Sequence, residues 1–175
     1  MSKQSKFLSR ILRHEPDVVG LTLATGGWVH VDDLLRGMKK AGHRLTLDEL
    51  RQIVAENDKQ RFTLSKDGRR IRAAQGHSIA VDLRLDPTKP PPILFHGTES
   101  ANLDAIFASG LTPGRRQHVH LSSDQDTAVT VGARHGRPIV LRIDTGVMHA
   151  DGFIFWRADS GVWLTPTVPP RYLGF

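Results

Sequence analysis

The stretch Ser9-Arg10-Ile11-Leu12-Arg13-His14-Glu15-Pro16 ends the first predicted helix and places an arginine and a histidine side by side at its end. Four apolar side chains precede or share this stretch at helical spacing: Phe7, Leu8, Ile11 and Leu12. This pattern predicts an amphipathic helix over residues 3–14. Pro16 disfavours helical geometry at Glu15, so the helix should end near His14.

Two interpretations of Arg13 and His14 are open at this point. Cations at the C-terminal end of a helix complement the helix dipole, and this alone would explain both residues. The same dipole opposes an anion bound there. A phosphate site at this position would therefore need further positive charge from elsewhere in the chain.

The composition of the 175-residue chain is that of an ordinary globular protein, with 39% hydrophobic and 24% charged residues. The absence of cysteine excludes disulfides, thiolate zinc sites and cysteine nucleophiles. No apolar run is long enough for a membrane span, and the first residues lack the apolar core of a signal peptide, so we expect a cytoplasmic protein without membrane contact. The net charge of +6 favours a polyanionic partner, although a solubility bias explains it equally well.

The first half of the chain predicts helices followed by a basic hairpin. A short hairpin is expected over 21–31, and a helix capped by Asp32 or Asp33 should run to Lys40. Thr46-x-x-Glu49 is a capping box that opens another helix. Alternation over residues 61–65 and 69–73 predicts the hairpin, with Arg61 on its polar face. Such a layout is typical of winged helices, but a solvated strand face would explain Arg61 as well.

Asp86-Pro87-Thr88-Lys89-Pro90-Pro91-Pro92 can neither continue a helix nor sit inside a sheet, and we interpret it as a stiff linker. The predicted organisation is a domain over 1–85, a linker over 86–92 and a second domain over 93–175. In the second domain, strands are expected at 93–95, 118–122 and 139–143, helices at 100–109 and 124–133, a hairpin over 153–164 and an edge strand near 172–175.

The common nucleotide-binding and hydrolase fingerprints are absent from the sequence. His118 and His120 share a strand face, but without a third ligand nearby they are a weak metal candidate, and we expect no metal. His96-Gly97-Thr98 follows a strand and offers hydrogen-bond donors beside a glycine that permits close approach. A strand-terminating turn is an equally good explanation. His120 and Ser122 end another strand and could converge on the same cleft.

Several blocks, in order along the chain, resemble the RNA 2′-phosphotransferase family (KptA-type, the tRNA-splicing phosphotransferases). The resemblance covers essentially the whole chain. Its blocks are Ser9–Pro16, Gly27-Trp28-Val29, Arg61-Phe62, Gln75-Gly76-His77-Ser78, Leu94-Phe95-His96-Gly97-Thr98, His120-Leu121-Ser122, Gly132-x-Arg134-His135-Gly136 and Gly161-Val162-Trp163-Leu164-Thr165.

This resemblance implies an α+β protein with an N-terminal winged-helix-like lobe followed by an ADP-ribosyltransferase-fold lobe. It implies NAD as co-substrate and a tRNA-like RNA with an internal 2′-phosphate as partner. In the implied reaction, the 2′-phosphate attacks the nicotinamide-ribose C1″ and expels nicotinamide, giving an ADP-ribosylated RNA 2′-phosphate. The ribose 2″-hydroxyl then attacks that phosphate and releases 2′-hydroxyl RNA and ADP-ribose 1″,2″-cyclic phosphate. We expect a monomer.

The family's catalytic tetrad maps onto Arg13, His14, Arg61 and Arg134. Arginine forks bind phosphate oxygens bidentately and stay charged, and positioning and charge stabilisation dominate phosphoryl transfer. The resemblance further implies that NAD contacts come from the following residues: His96, Gly97, Thr98, His120 and Ser122, with His77 and Ser78 less certain. Charge alone suggests these RNA contacts: Lys3, Lys6, Arg10, Arg69, Arg70 and Arg72.

Two alternatives stay open. The first is an ADP-ribosyltransferase that modifies nucleic-acid ends and stops after the first step. The second is a non-catalytic RNA-binding module. If the two lobes face each other as the resemblance implies, Arg61 and Arg134 would supply the positive charge that Arg13 and His14 need to hold a shared phosphate.

Overall fold

The structure is a computed structural model that describes residues 2–57, 59–134 and 136–175. Helices and small antiparallel sheets alternate along the chain, which confirms the predicted α+β class. The chain forms two compact units, Met1–Arg84 and Leu85–Phe175. In the part of the chain that the structure describes, no helix is both long enough and apolar enough to cross a bilayer.

Among its described residues, the first unit contains three α-helices and one antiparallel sheet. Its helices are α1 (Lys3–Arg13), α2 (Val31–Lys40) and α3 (Leu47–Glu56), and its strands are β1 (Val29–His30), β2 (Phe62–Leu64) and β3 (Arg70–Ala73). The strand order is β1-β3-β2, and short 3₁₀ turns lie at Pro16–Val19 and Thr25–Gly27. Leu8, Ile11 and Leu12 of α1 are fully buried in the core of this unit.

The ends of α1 are set by local signals. Ser2 caps the N-terminus, because its hydroxyl accepts a hydrogen bond from the Ser5 N–H at 3.1 Å. The helix ends at His14, whose backbone leaves helical geometry two residues before Pro16. This confirms the predicted helix end.

The capping box of α3 is also present. The Thr46 hydroxyl accepts from the Glu49 N–H, and the Glu49 carboxylate accepts from the Thr46 N–H. The predicted hairpin over 21–31 is wrong. Residues Thr25–Gly27 form a 3₁₀ turn instead, and Val29 pairs with Ile71 of β3, far along the chain.

In the second unit, residues 85–134 and 136–175 contain six strands in two sheets. The strands are β4 (Leu94–Glu99), β5 (Val119–Leu121), β6 (Pro138–Ile143), β7 (Trp156–Arg157), β8 (Trp163–Thr165) and β9 (Leu173–Gly174). The sheets are antiparallel with orders β4-β6-β9 and β5-β8-β7, and an isolated bridge between Phe95 and Ser122 joins β4 to β5. The pairing of β7 with β8 and of β9 with β6 confirms the predicted hairpin and edge strand.

The described part of the second unit also contains the helices α4 (Leu103–Ser109), α5 (Gln125–Gly132) and α6 (Thr145–Ala150). The sequence patterns predicted α4 and α5 but not α6. The proline-rich segment packs against this unit. The Thr88 N–H donates to the Phe155 carbonyl at 2.8 Å, and the Thr145 hydroxyl donates to the Pro91 carbonyl at 2.7 Å.

Candidate active site

In the first unit, the chain after β3 passes both the end of α1 and the start of β2. The Ala74 N–H donates to the Arg61 carbonyl at 2.8 Å, and the Ser78 N–H donates to the Arg13 carbonyl at 3.0 Å. Two of the predicted tetrad residues, Arg13 and Arg61, are therefore hydrogen-bonded through their carbonyls to the segment 74–78.

The guanidinium of Arg13 lies against Gly76. A Cβ atom added to Gly76 would stand 3.3 Å from both Cζ and Nε of Arg13. Gly76 also has a φ of +87°, which L-residues with side chains rarely adopt. Glycine at this position thus permits the positive φ of the backbone and leaves room for the guanidinium of Arg13.

His14 is held by the same segment. Its Nδ1 lies 2.8 Å from the Ser78 hydroxyl oxygen. A serine hydroxyl can donate or accept, so this bond orients the ring under either tautomer. The side chain of His14 is exposed, and its ring can therefore reach a ligand from solvent.

Arg61 is half-buried immediately before β2. Its N–H donates to the Asn57 side-chain oxygen at 3.2 Å. The residue lines a groove of about 490 Å³ together with Ser2, Ser5, Ile53, Glu56, Asn57 and Lys59. Its neighbour Phe62 is buried in the core, as the predicted strand alternation requires.

His77, a predicted ligand contact, lies inside the first unit with 2% of its surface exposed. Its Nε2 stands 3.3 Å from the position that a Cβ of Gly27 would occupy, and among the described residues it has no hydrogen-bond partner. Burial, and after it the nearby charges of Arg13, His14 and Arg72, together lower the pKa of His77 to about 4. His77 is therefore neutral at physiological pH.

Arg72 does not face solvent, so its predicted role as an RNA contact is wrong. The side chain is 8% exposed, and its Nη1 donates to the carbonyls of Gly26 and Leu83 at 3.1 and 2.9 Å. Its guanidinium also lies over the Trp28 ring, 4.6 Å from the centroid. Arg72 therefore links β3 to the segments that contain Gly26 and Leu83. Arg69 and Arg70 are exposed.

In the second unit, His96 of β4 is oriented by β5. Its Nδ1 lies 3.0 Å from the His120 carbonyl oxygen, which can only accept, so Nδ1 carries the proton and Nε2 of the neutral ring is an acceptor. Burial lowers the pKa of His96, and the hydrogen bond to His120 opposes this shift. The ring is thus kept neutral in a fixed tautomer.

Gly97 and Thr98 are explained largely by packing within the unit. A Cβ on Gly97 would lie 1.7 Å from the Ala128 carbonyl, so α5 makes the close approach that this glycine permits. Thr98 is buried, and its hydroxyl accepts from the Asn102 amide at 3.3 Å. Sequence reasoning attributed the close approach to a ligand.

His120 lies in β5, and Ser122 is the first residue after that strand. The Ser122 backbone exchanges two hydrogen bonds of 2.8 Å with Phe95, which places the ends of β4 and β5 side by side. Arg116 donates through Nη1 to Nδ1 of His120 at 3.1 Å. His118 instead contacts the Trp156 ring, at a centroid distance of 5.2 Å. Within the described ranges, no group of three potential ligands suits a metal ion.

Arg134 follows α5 and is exposed. Its charge lowers the pKa of Arg116, after the larger effect of burial around that guanidinium. Sequence reasoning missed Arg116 as a site residue; the one signal that could have indicated it is the adjacent pair of cations Arg115-Arg116. His135, quoted in the resemblance, lies outside the described residues.

The structure thus groups the predicted residues in two sets. The first unit holds Arg13, His14, His77 and Ser78, with Arg61 attached to the same segment through its backbone. The second unit holds His96, Gly97, Thr98, His120, Ser122 and Arg134. A third grouping is basic: Lys3, Lys6, Arg10, His43 and Arg44 line a groove of about 570 Å³ along α1.

Comparison with known proteins identifies the family. The family model described as "RNA 2'-phosphotransferase, Tpt1 / KptA family" matches residues 1–167. A "Probable RNA 2'-phosphotransferase" of Agrobacterium fabrum is 57% identical over 169 residues, which cover 97% of this chain and 91% of the relative. Proteins of the same name from Pectobacterium carotovorum and Burkholderia pseudomallei are 53% and 52% identical, covering 97% and 99% of this chain and 91% and 95% of those relatives. The chain therefore belongs to the RNA 2′-phosphotransferase family.

Proposed function

We propose that the protein is an NAD-dependent RNA 2′-phosphotransferase. The observation that carries this proposal is the family match over residues 1–167, because that range contains every predicted site residue. The grouping of these residues within each unit gives it physical support.

Arg13, His14, Arg61 and Arg134 are proposed to bind and orient the transferred phosphate. A phosphate monoester carries nearly two negative charges, and arginine forks match its oxygens. Gly76 and Ser78 hold two of these side chains in place, so little ordering is left to occur on binding. Such preorganised charge is the main contribution that a protein can make to phosphoryl transfer.

The polar side chains of the second unit suit a dinucleotide. His96 presents an acceptor nitrogen in a fixed tautomer, which suits a ribose hydroxyl. Arg116 and Arg134 are cations of the kind that bind a pyrophosphate. The NAD co-substrate supplies an electrophilic ribose carbon with nicotinamide as its leaving group.

The proposed reaction has two steps. An oxygen of the RNA 2′-phosphate forms a bond to C1″ of the nicotinamide ribose while the bond to nicotinamide breaks. The 2″-hydroxyl then attacks the phosphorus, loses its proton, and the bond to the RNA 2′-oxygen breaks as that oxygen takes a proton. The proposed role of His14 is to donate a hydrogen bond or this proton. The arginines stabilise charge on the phosphate oxygens in the second step.

The RNA is proposed to contact the basic groove along α1. Lys3, Lys6 and Arg44 contribute three positive charges, and Arg10 is paired with Glu15. His43 stacks on Phe7 with ring centroids 3.7 Å apart, and it is itself exposed. Cations beside an exposed ring are the combination that single-stranded nucleic acid binds.

The test is incubation of an internally 2′-phosphorylated oligonucleotide with the protein, with and without NAD. We expect 2′-hydroxyl RNA, nicotinamide and ADP-ribose 1″,2″-cyclic phosphate, each only when NAD is present. A persistent ADP-ribosylated RNA detected by mass spectrometry would show instead a transferase that stops after the first step. No nicotinamide release with this substrate would contradict both reactions.

A further inference from the structure

Arg116, in the loop before β5, fixes the protonation pattern of His120. A guanidinium has donors and no acceptor, and its Nη1 lies 3.1 Å from Nδ1 of His120. Nδ1 must therefore be the acceptor. The neutral imidazole of His120 carries its proton on Nε2 as a consequence.

His96 has the opposite tautomer. Its Nδ1 donates to the carbonyl of the same His120, which leaves its Nε2 as an acceptor. The strands β4 and β5 thus carry two neighbouring imidazoles with complementary roles. His96 offers an acceptor and His120 a donor, and this complementarity depends on Arg116.

Arg116 also interacts electrostatically with a second cation, Arg134. Packing around its guanidinium lowers the pKa of Arg116, although much of the side chain is exposed, and the charge of Arg134 acts in the same direction. The bond to His120 uses one nitrogen of the Arg116 guanidinium, so its other donors can form charge-assisted hydrogen bonds with a phosphate.

We propose that Arg116 is a positioning residue that holds His120 in its Nε2–H tautomer and, through the exposed remainder of its guanidinium, binds a phosphate group of the substrate. The identity of that phosphate rests on the proposed function. It is either the 2′-phosphate of the RNA or the pyrophosphate of the dinucleotide.

The tautomer is tested in the full chain without any substrate. The ¹⁵N shifts of His120 distinguish Nδ1–H from Nε2–H. We expect the Nε2–H pattern in the unaltered protein and a mixture in Arg116→Ala. Arg116→Gln should keep the pattern, since its amide can still donate to Nδ1. An unchanged His120 spectrum in Arg116→Ala would overturn the positioning role, whatever reaction the protein catalyses.

Phosphate binding is tested by titrating the same variants with two probes, ADP-ribose and a 2′-phosphorylated oligonucleotide. Arg116→Ala and Arg116→Gln should both lose roughly tenfold in affinity for one of them, the order expected for one charge-assisted hydrogen bond. Loss with ADP-ribose assigns the dinucleotide phosphate, and loss with the oligonucleotide assigns the RNA phosphate. Arg115→Ala is the matched control and should bind both normally. Undiminished binding of both probes by the Arg116 variants would overturn the phosphate assignment.

Discussion

Nδ1 of His14 lies 2.8 Å from the hydroxyl oxygen of Ser78, and the Ser78 N–H in turn donates to the carbonyl of Arg13. One serine therefore holds the ring of His14 through its side chain and the preceding residue through its backbone. Only the first of these bonds can be removed by mutation without altering the chain path.

We expect Ser78→Ala to lower turnover of 2′-phosphorylated RNA by about fivefold, the size of one net hydrogen bond of ~1 kcal/mol. Ser78→Thr keeps the hydroxyl and should restore most of the activity. Steady-state rates with saturating NAD provide the measurement. Equal activity of the alanine and threonine variants would show that the bond to His14 does not contribute.

Gly76→Ala should displace the guanidinium of Arg13, because the added methyl would stand 3.3 Å from its Cζ. Gly68 provides the matched control. It has a similar positive φ of +70°, but a Cβ there meets no atom within 4 Å. Both alanine variants should lose about 1–2 kcal/mol of unfolding free energy to backbone strain.

Only Gly76→Ala should also lose phosphate transfer, which we expect to fall by at least tenfold. The comparison requires denaturant unfolding and the 2′-phospho-RNA assay on both variants. Similar activities in Gly76→Ala and Gly68→Ala would mean that contact with Gly76 does not position Arg13.

Arg72→Ala should destabilise the first unit by about 3 kcal/mol, since it leaves two carbonyls without their charged donor and removes the contact with Trp28. Arg69→Ala, at an exposed position of the same hairpin, should change stability by less than about 0.5 kcal/mol. Urea unfolding of both variants checks this. A stable Arg72→Ala protein with weakened RNA binding would restore the original surface interpretation.

Features with local causes were predictable from the sequence. The end of α1 before Pro16 and the Thr46–Glu49 capping box each depend on residues within one turn. The pairing of β1 was not predictable in this way, because its partner β3 lies some forty residues further on. Nothing within residues 21–31 indicates that partner.

For the predicted site residues, too, contacts with distant segments could not be predicted from the sequence. Strand alternation places Arg70 and Arg72 on one face, yet Arg70 is exposed and Arg72 is buried. Arg72 is buried where it donates to the carbonyls of Gly26 and Leu83, and Leu83 belongs to an irregular segment that no pattern reveals. The contact from Arg116 to His120 likewise depends on a loop path. The sequence contains a basic pair at 115–116, but it does not reveal which of the two arginines contacts the histidine.

The groove along α1 predicts a specific salt dependence of RNA binding. Changing Lys3, Lys6 and Arg44 together to glutamine should reduce the slope of log K against log salt by about 2, if each neutralises one phosphate of a single strand. Lys89→Gln, at an exposed position of the proline-rich segment, should leave the slope unchanged. Binding of a short RNA across a range of salt concentrations gives both slopes. An unaltered slope in the triple variant would exclude this groove as the RNA surface.

Burial of His77 predicts a pH dependence of stability. Its pKa is lowered from 6.5 in the unfolded chain to about 4 in the folded protein, by burial and by the neighbouring Arg13, His14 and Arg72. Between these values only the unfolded chain binds the proton, so unfolding free energy falls as the pH drops from about 6.5 to about 4. At neutral pH the full stability is present, and the loss at acid pH amounts to at most about 3 kcal/mol.

His96 and His118 contribute in the same direction, because burial lowers the pKa of each. The prediction therefore concerns the difference between variants measured at several pH values. His77→Gln should flatten the decline in unfolding free energy between pH 6.5 and 4, since glutamine does not titrate. His30→Gln, at an exposed position of β1, should leave the decline as it is. If both variants keep the same decline, the proton taken up on unfolding does not come from His77, and the imidazole must be accessible to water in the folded protein.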